Sequence, residues 1–231
     1  IVEGVHAEAL AINKAIDLVG RPGAVITGSQ APLVRVHDAR GVALSALTIR
    51  QTGLKPGAPG HAAIHVARAE LRLRDVRVEA ATAGVAVVAG GRLDAEGLAV
   101  EGARGAGLLF AADAGGTVVG SSFKRNGVGV WADDDARPDV RRCAFAGNHH
   151  GILVSGRAAP AIEACTFARS GGEDVHVTDQ GAPRLVGAGA KPAAAPIRAG
   201  LVAAADAKAI RRVAEDFEAD FMGKTFGRID Q

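Results

Sequence analysis

A chain of 231 residues is long enough for one domain with a substantial core, or for a large domain and a fragment. With 48% hydrophobic residues and no apolar run near the ~20 residues that a bilayer requires, it reads as globular with no membrane span expected. A formal net charge of +2, from 27 basic and 25 acidic residues, gives no strong attraction to nucleic acid or anionic lipid, and two cysteines are too few for a disulfide framework or a zinc motif.

Along the chain, apolar residues alternate with others over three to five positions, the period of a strand. One family of short strands is centred on Val34/Val36, Ile64/Val66, Val85/Val87, Leu108/Phe110, Val128/Val130, Ile152/Val154 and Val175/Val177. A second runs through Leu44, Leu73, Val118, Val140, Ile162 and Leu185. The third pairs Leu47/Ile49, Val76/Val78, Leu98/Val100, Ser121/Phe123, Cys143/Phe145 and Cys165/Phe167. Glycines at Gly84, Gly107, Gly127 and Gly151 precede the first family, and Pro138, Pro160 and Pro183 each stand two residues before a member of the second.

Phe123, Phe145 and Phe167 are 22 residues apart, as are Cys143 and Cys165, Asn126 and Asn148, and Val78 and Val100. A three-strand unit of this length is too short for a propeller blade and lacks the leucine-rich signature; it fits one coil of a parallel β-helix. The fold class expected is therefore an all-β solenoid of about eight coils. The steps that break the period, 30 residues from Val36 to Val66 and 20 from Phe110 to Val130, are assigned to loops, the longest over residues 51–62.

After residue 190 the pattern changes. Val202, Ile210, Val213, Phe217 and Phe221 fall mostly at three- and four-residue steps among charged residues, which predicts a C-terminal amphipathic α-helix. The organisation expected is a β-helix over 1–190, a linker over 191–200, and a helix and tail over 201–231. Such a helix caps the open end of a solenoid, packs along its side, or docks a partner. Beginning at Ile1 with no basic leader or apolar segment, the sequence reads as a mature form or a piece of a longer protein and leaves the compartment undetermined.

The segment "GILVSGRAAPAIEACTFARS" resembles the generic repeat of right-handed parallel β-helix proteins in the pectate-lyase-like superfamily, and "EGVHAEALAINKAIDLVGRPGAVITG" is similar to the first coils of pectin methylesterase-like chains. The resemblance implies a right-handed coil. It extends to carbohydrate-modifying enzymes, carbohydrate-binding proteins and noncatalytic modules alike. Lyases of that superfamily use carboxylates to hold calcium and a basic residue to take a proton beside a uronate. On that analogy Asp113, Asp133, Asp134, Asp135 and Arg157 are the ligand or metal candidates, with Asp133 and Arg157 as the alternative catalytic pair. Asp113, Asp133 and Arg157 are expected on successive coils three residues past the first strand, with two extra residues inside "WADDDARP".

Most remaining polar columns have structural readings. Cys143 and Cys165 belong to an inward column, and Asn126, Asn148 and Ser170 to a ladder of side chains bonded from coil to coil. His65 and His176 project outward from strands without converging, because Ala86, Leu109, Gly129 and Leu153 are read between them; His149 and His150 fall at a turn. The epimerase "DPHE" and polygalacturonase "NTD…DD…GHG…RIK" sets are absent, and no GxSxG or phosphate-binding loop occurs.

One outward column is apolar. Val88, Leu109, Trp131 and Leu153 are expected on consecutive coils as a stripe to be covered by the C-terminal helix, another copy of the chain or a partner. The function expected is a noncatalytic scaffold or recognition module for protein interaction or assembly, without cofactor. The alternative is a uronate lyase, epimerase or carbohydrate-binding protein acting on acidic polysaccharide with calcium.

Overall fold

The computed structural model describes residues 1–30, 32–52, 62–80 and 82–187. The expected linker over 191–200 and the helix and tail over 201–231 lie outside the described residues, as does nearly all of the loop at 51–62, whose ends Gln51 and Ala62 belong to strands.

Three parallel sheets of eight strands each wind around one core. Sheet I stacks Leu10–Ile12, Val34–His37, Ala62–Ala67, Ala83–Val88, Ala106–Phe110, Val128–Ala132, His150–Val154 and Val175–Val177. Sheet II stacks Ile16–Val19, Val42–Ser45, Glu70–Arg74, Arg92–Glu96, Gly115–Val119, Arg137–Arg141, Ala161–Glu163 and Arg184–Val186. Sheet III stacks Gly4–His6, Ala24–Gly28, Thr48–Gln51, Arg77–Glu79, Ala99–Glu101, Ser122–Lys124, Ala144–Ala146 and Thr166–Ala168. The chain visits I, II and III in turn, giving seven complete coils between Leu10 and Ala168, preceded by one strand of sheet III and followed by one strand each of sheets I and II.

In-register pairing layers like on like. Phe123, Phe145 and Phe167 pair in sequence, with ring centroids 5.3 and 4.9 Å apart and planes inclined by 14° and 10°. Parallel strands spaced by about 4.8 Å bring successive rings to stacking distance. Ile64, Val85, Leu108, Val130, Ile152 and Val175 form a second buried column, and Leu44, Leu73, Ala95, Val118, Val140 and Ile162 a third.

One coil is registered differently from the expectation. Val130 pairs with Leu108 and Ala132 with Phe110, so the inward pair on this strand is Val130/Ala132, not Val128/Val130. The step from Phe110 to its partner is thus the regular 22 residues, and "WADDDARP" holds no insertion. Alternation has a period of two, so a slip of two residues preserves the hydrophobic pattern. The valine–alanine order hid the true register.

The glycine column is corrected with it, to Gly84, Gly107, Gly129 and Gly151. A Cβ at Gly129 would lie 2.5 Å from the Gly151 carbonyl oxygen and 2.5 Å from Phe145 Cδ1. Glycine is needed here because the backbone of one coil runs against both the next coil and the phenylalanine stack.

The corner between sheets I and II repeats a left-handed residue at the same place in each coil, Asp38, Arg68, Ala89, Ala112, Asp134, Gly156 and Asp179, with φ between 50° and 61°; Gly90 and Asp113 continue it at 69° and 60°. Asp tolerates this region better than most residues because its short side chain bonds locally. Towards the C-terminal end the core opens, with the inward-facing Val177 and Leu185 41% and 40% exposed and Phe167 half-buried.

Candidate functional site

The outer faces of the three sheets differ in chemistry. Sheet II presents Arg72, Arg74, Asp94 and Glu96 to solvent. Sheet III carries an ion-paired ladder in which Arg50 Nε donates to Glu79 at 2.6 Å, and Arg77 donates to Glu79 at 3.0 Å and to Glu101 at 3.1 Å. Arg125 also pairs with Glu101. The Arg50 guanidinium holds the Glu79 carboxyl below its ordinary value. Gln51, Arg77, Glu79 and Glu101 border an open depression, but its charges are already matched in sign. Exposed pairs of this kind contribute little to stability.

Sheet I is the exception. Its five central strands, from Ala62 to Val154, are buried on both faces. The outward cluster comprises Ala62, Ala83, Ala86, Ala106, Leu109, Ala111, Val128, Trp131 and Leu153, with Val88 packed against it. Leu109, Trp131 and Leu153 are 8%, 5% and 8% exposed. Pairing sets the column as His65, Ala86, Leu109, Trp131, Leu153 and His176. The stripe therefore passes through Ala86, and Val88 stands two residues along the strand. Trp131, not Gly129, lies between Leu109 and Leu153. Val128 pairs with Ala106 and belongs to this outward cluster with Ala62, Ala83 and Ala106.

Trp131 is tied to the aspartate corner. Its Nε1 donates to Ser155 Oγ at 2.7 Å, and Ser155 Oγ donates to Asp133 at 2.5 Å. The regular register puts Asp135, not Asp133, between Asp113 and Arg157. Arg157 Nε donates to Asp135 at 2.9 Å, a second guanidinium nitrogen reaches the other carboxylate oxygen, and the pair holds Asp135 below its ordinary value. Asp134 occupies the left-handed corner position, where burial and the neighbouring Asp133 raise its carboxyl above the ordinary value. Asp113 is exposed, one coil below Asp135.

The expected candidates are thus neighbours at one corner, where the Arg157 guanidinium feels the charges of Asp135, Asp134 and Asp113. Asp135 is occupied by Arg157, Asp133 accepts the Ser155 hydroxyl, and Asp113 and Asp134 belong to different coils. Among the described residues no three His, Cys, Asp or Glu side chains assemble as metal ligands.

Other polar columns are structural. Asn126 Oδ1 accepts from Ala103 N–H at 3.0 Å, and Asn148 Oδ1 accepts from Asn126 N–H at 2.9 Å. Their amide nitrogens donate to Val100 and Phe123 carbonyls at 3.2 and 3.0 Å. Ser170 turns aside to donate to Asp174 at 2.8 Å. Cys143 and Cys165 are buried free thiols; the adjacent Cys165 and burial push Cys143 upward.

His150 departs from the turn reading. It begins a sheet I strand and stacks on His176 at 4.7 Å, and burial lowers its imidazole from the ordinary value. His176 Nδ1 bonds Glu173 at 2.5 Å. Only the pairing of sheet I brings these rings together; His150 and His176 are 26 residues apart with no motif to join them.

Residues 62–187, more than half of the chain, match the family model described as right handed beta helix region. No curated protein matches the chain.

Proposed function

We propose, for a chain that belongs to the right-handed β-helix family, the role of a noncatalytic scaffold that mediates protein interaction or assembly through the outward face of sheet I. The family's repeat specifies the coil interior and leaves function to surface sites. The observation that carries this reading is the contrast among outer faces: sheets II and III present paired charges, whereas sheet I presents alanine, leucine and tryptophan, all buried. An apolar surface of this continuity marks a contact rather than a solvated wall.

The aspartate corner supports uronate chemistry poorly. A hard calcium ion takes several free oxygen ligands and a proton-abstracting base must be unencumbered, yet Arg157 and Asp135 satisfy each other. The test incubates the protein with polygalacturonate and alginate, with and without calcium, and follows ultraviolet absorbance of unsaturated uronate, epimer content and binding. A noncatalytic scaffold gives no product and no calcium-dependent binding. Turnover abolished by Asp133→Ala or Arg157→Ala would overturn the reading.

A further inference from the structure

We infer that His150, His176 and Glu173 form an acid-sensitive latch on the last rung of sheet I: protonation of His150 releases the loop 170–174 and the strand Val175–Val177 from the strand His150–Val154. The latch is independent of the scaffold reading. It acts on the edge of sheet I, not on its apolar face.

Glu173 serves both rings. Its backbone N–H donates to His150 Nδ1 at 3.3 Å, and its carboxylate bonds His176 Nδ1 at 2.5 Å. The imidazoles of His150 and His176 stack at 4.7 Å with planes inclined by 23°, and His149 meets His150 edge-on at 4.4 Å. The loop itself covers His150: a Cβ at Gly172 would lie 2.8 Å from the His150 Cε1 and 3.0 Å from its Nδ1. Two further bonds tie loop to strand. Gly151 N–H donates to the Glu173 carbonyl at 3.2 Å, and Ile152 N–H to the Asp174 carbonyl at 2.8 Å.

This bonding sets the charge of the closed rung. An imidazole nitrogen that accepts a hydrogen bond carries no proton, so His150 is neutral, with its proton on Nε2. His176 presents Nδ1–H to the Glu173 carboxylate whether or not its other nitrogen is protonated. His150 is therefore the group whose charge the closed arrangement opposes. A proton on its Nδ1 sets two donors against each other and places a positive charge 4.7 Å from the His176 ring.

The titratable groups facing His150 are His176, His149 and Glu173, while the strand on its other side supplies Val128. Burial, then His176 and His149, hold the imidazole below its ordinary 6.5, outweighing the opposite pull of the Glu173 backbone and carboxylate. A group depressed in this way binds its proton more readily once released. Closure is thus complete above pH 6.5 and lost as pH falls through the lowered value. Opening takes up one proton, so within that window closure weakens by up to about tenfold per pH unit. Release uncovers the backbone of His150–Val154 as a new sheet edge.

Hydrogen exchange of the full chain, followed from about pH 7.5 to about pH 5 and corrected for the intrinsic rate, reads the opening. Residues 151–152 and 171–178 should lose protection by up to about tenfold per pH unit below the ordinary histidine value, while residues 82–132 keep theirs. His150→Gln should flatten the dependence, because its amide oxygen still accepts from Glu173 N–H and takes up no proton. In the native chain, the His150 Cε1 proton resonance, assigned by its loss in the variant or by its contact with His176, should titrate below 6.5.

Unchanged protection of residues 171–178 across this range would overturn the inference. An equal loss in residues 82–132 would mark general acid unfolding and overturn it as well. A loss that persists in a folded His150→Gln would assign the proton to another group. Should the variant not fold, the native titration decides alone, and a His150 titrating at or above 6.5 refutes the latch.

Discussion

Replacing Phe145 by alanine should be the most damaging single truncation in the phenylalanine column. Its ring is 1% exposed and stacked on both sides, against Phe123 at 5.3 Å and Phe167 at 4.9 Å. A fully buried Phe→Ala change costs about 3–5 kcal/mol in transfer and cavity energy, of which stacking on two neighbours supplies about 1–2. Phe167 is half-buried and stacks on one side only, so Phe167→Ala should cost about 2 kcal/mol. Phe145→Leu, which retains volume but loses both stacks, should fall at about 1–2. In a structure of this size about 4 kcal/mol corresponds to a fall in Tm of roughly 8–16 °C. Urea unfolding followed by far-UV circular dichroism measures the series, with equal m values securing the comparison. If Phe167→Ala proves as costly as Phe145→Ala, the rings do not act as a layered column and the energetic argument fails.

Asn148→Ala should destabilise by about 2–4 kcal/mol in the same assay, because it strands the buried Asn126 N–H and Phe123 carbonyl that Asn148 satisfies. Asp134→Asn should stabilise the protein at neutral pH. The folded carboxyl titrates above the unfolded value of 3.8, so the fold binds the extra proton and native stability falls as pH rises through that window. The advantage of asparagine should therefore vanish as pH falls through the raised value towards 3.8, read from Tm against pH. Cys143 and Cys165, 1% and 0% exposed, should resist a thiol reagent in native protein and both react once urea unfolds it.

The phenylalanine spacing and the recurring Asn and Cys positions were sufficient to read the coil from sequence, because each marks a column that must be filled at every turn. The aspartate corner was less legible. Alternation is indifferent to a shift of two residues, so "VGVWADDD" admitted a register in which Asp133 joined Asp113 and Arg157. Pairing of Phe110 with Ala132 moved Asp135 into that place and gave Asp133 to Ser155. Similarly, Val88 and Ala86 are both apolar, and only the strand register decides which stands in line with Trp131.

By itself the sequence determined the repeat: its period, its three strands per coil and its buried columns, all of which are local patterns multiplied by a fixed step. Tertiary structure alone decided which outer face is buried and which carboxylates are free. Those properties arise between coils, from the lateral alignment of strands about 22 residues apart, and no pattern within one strand encodes that alignment.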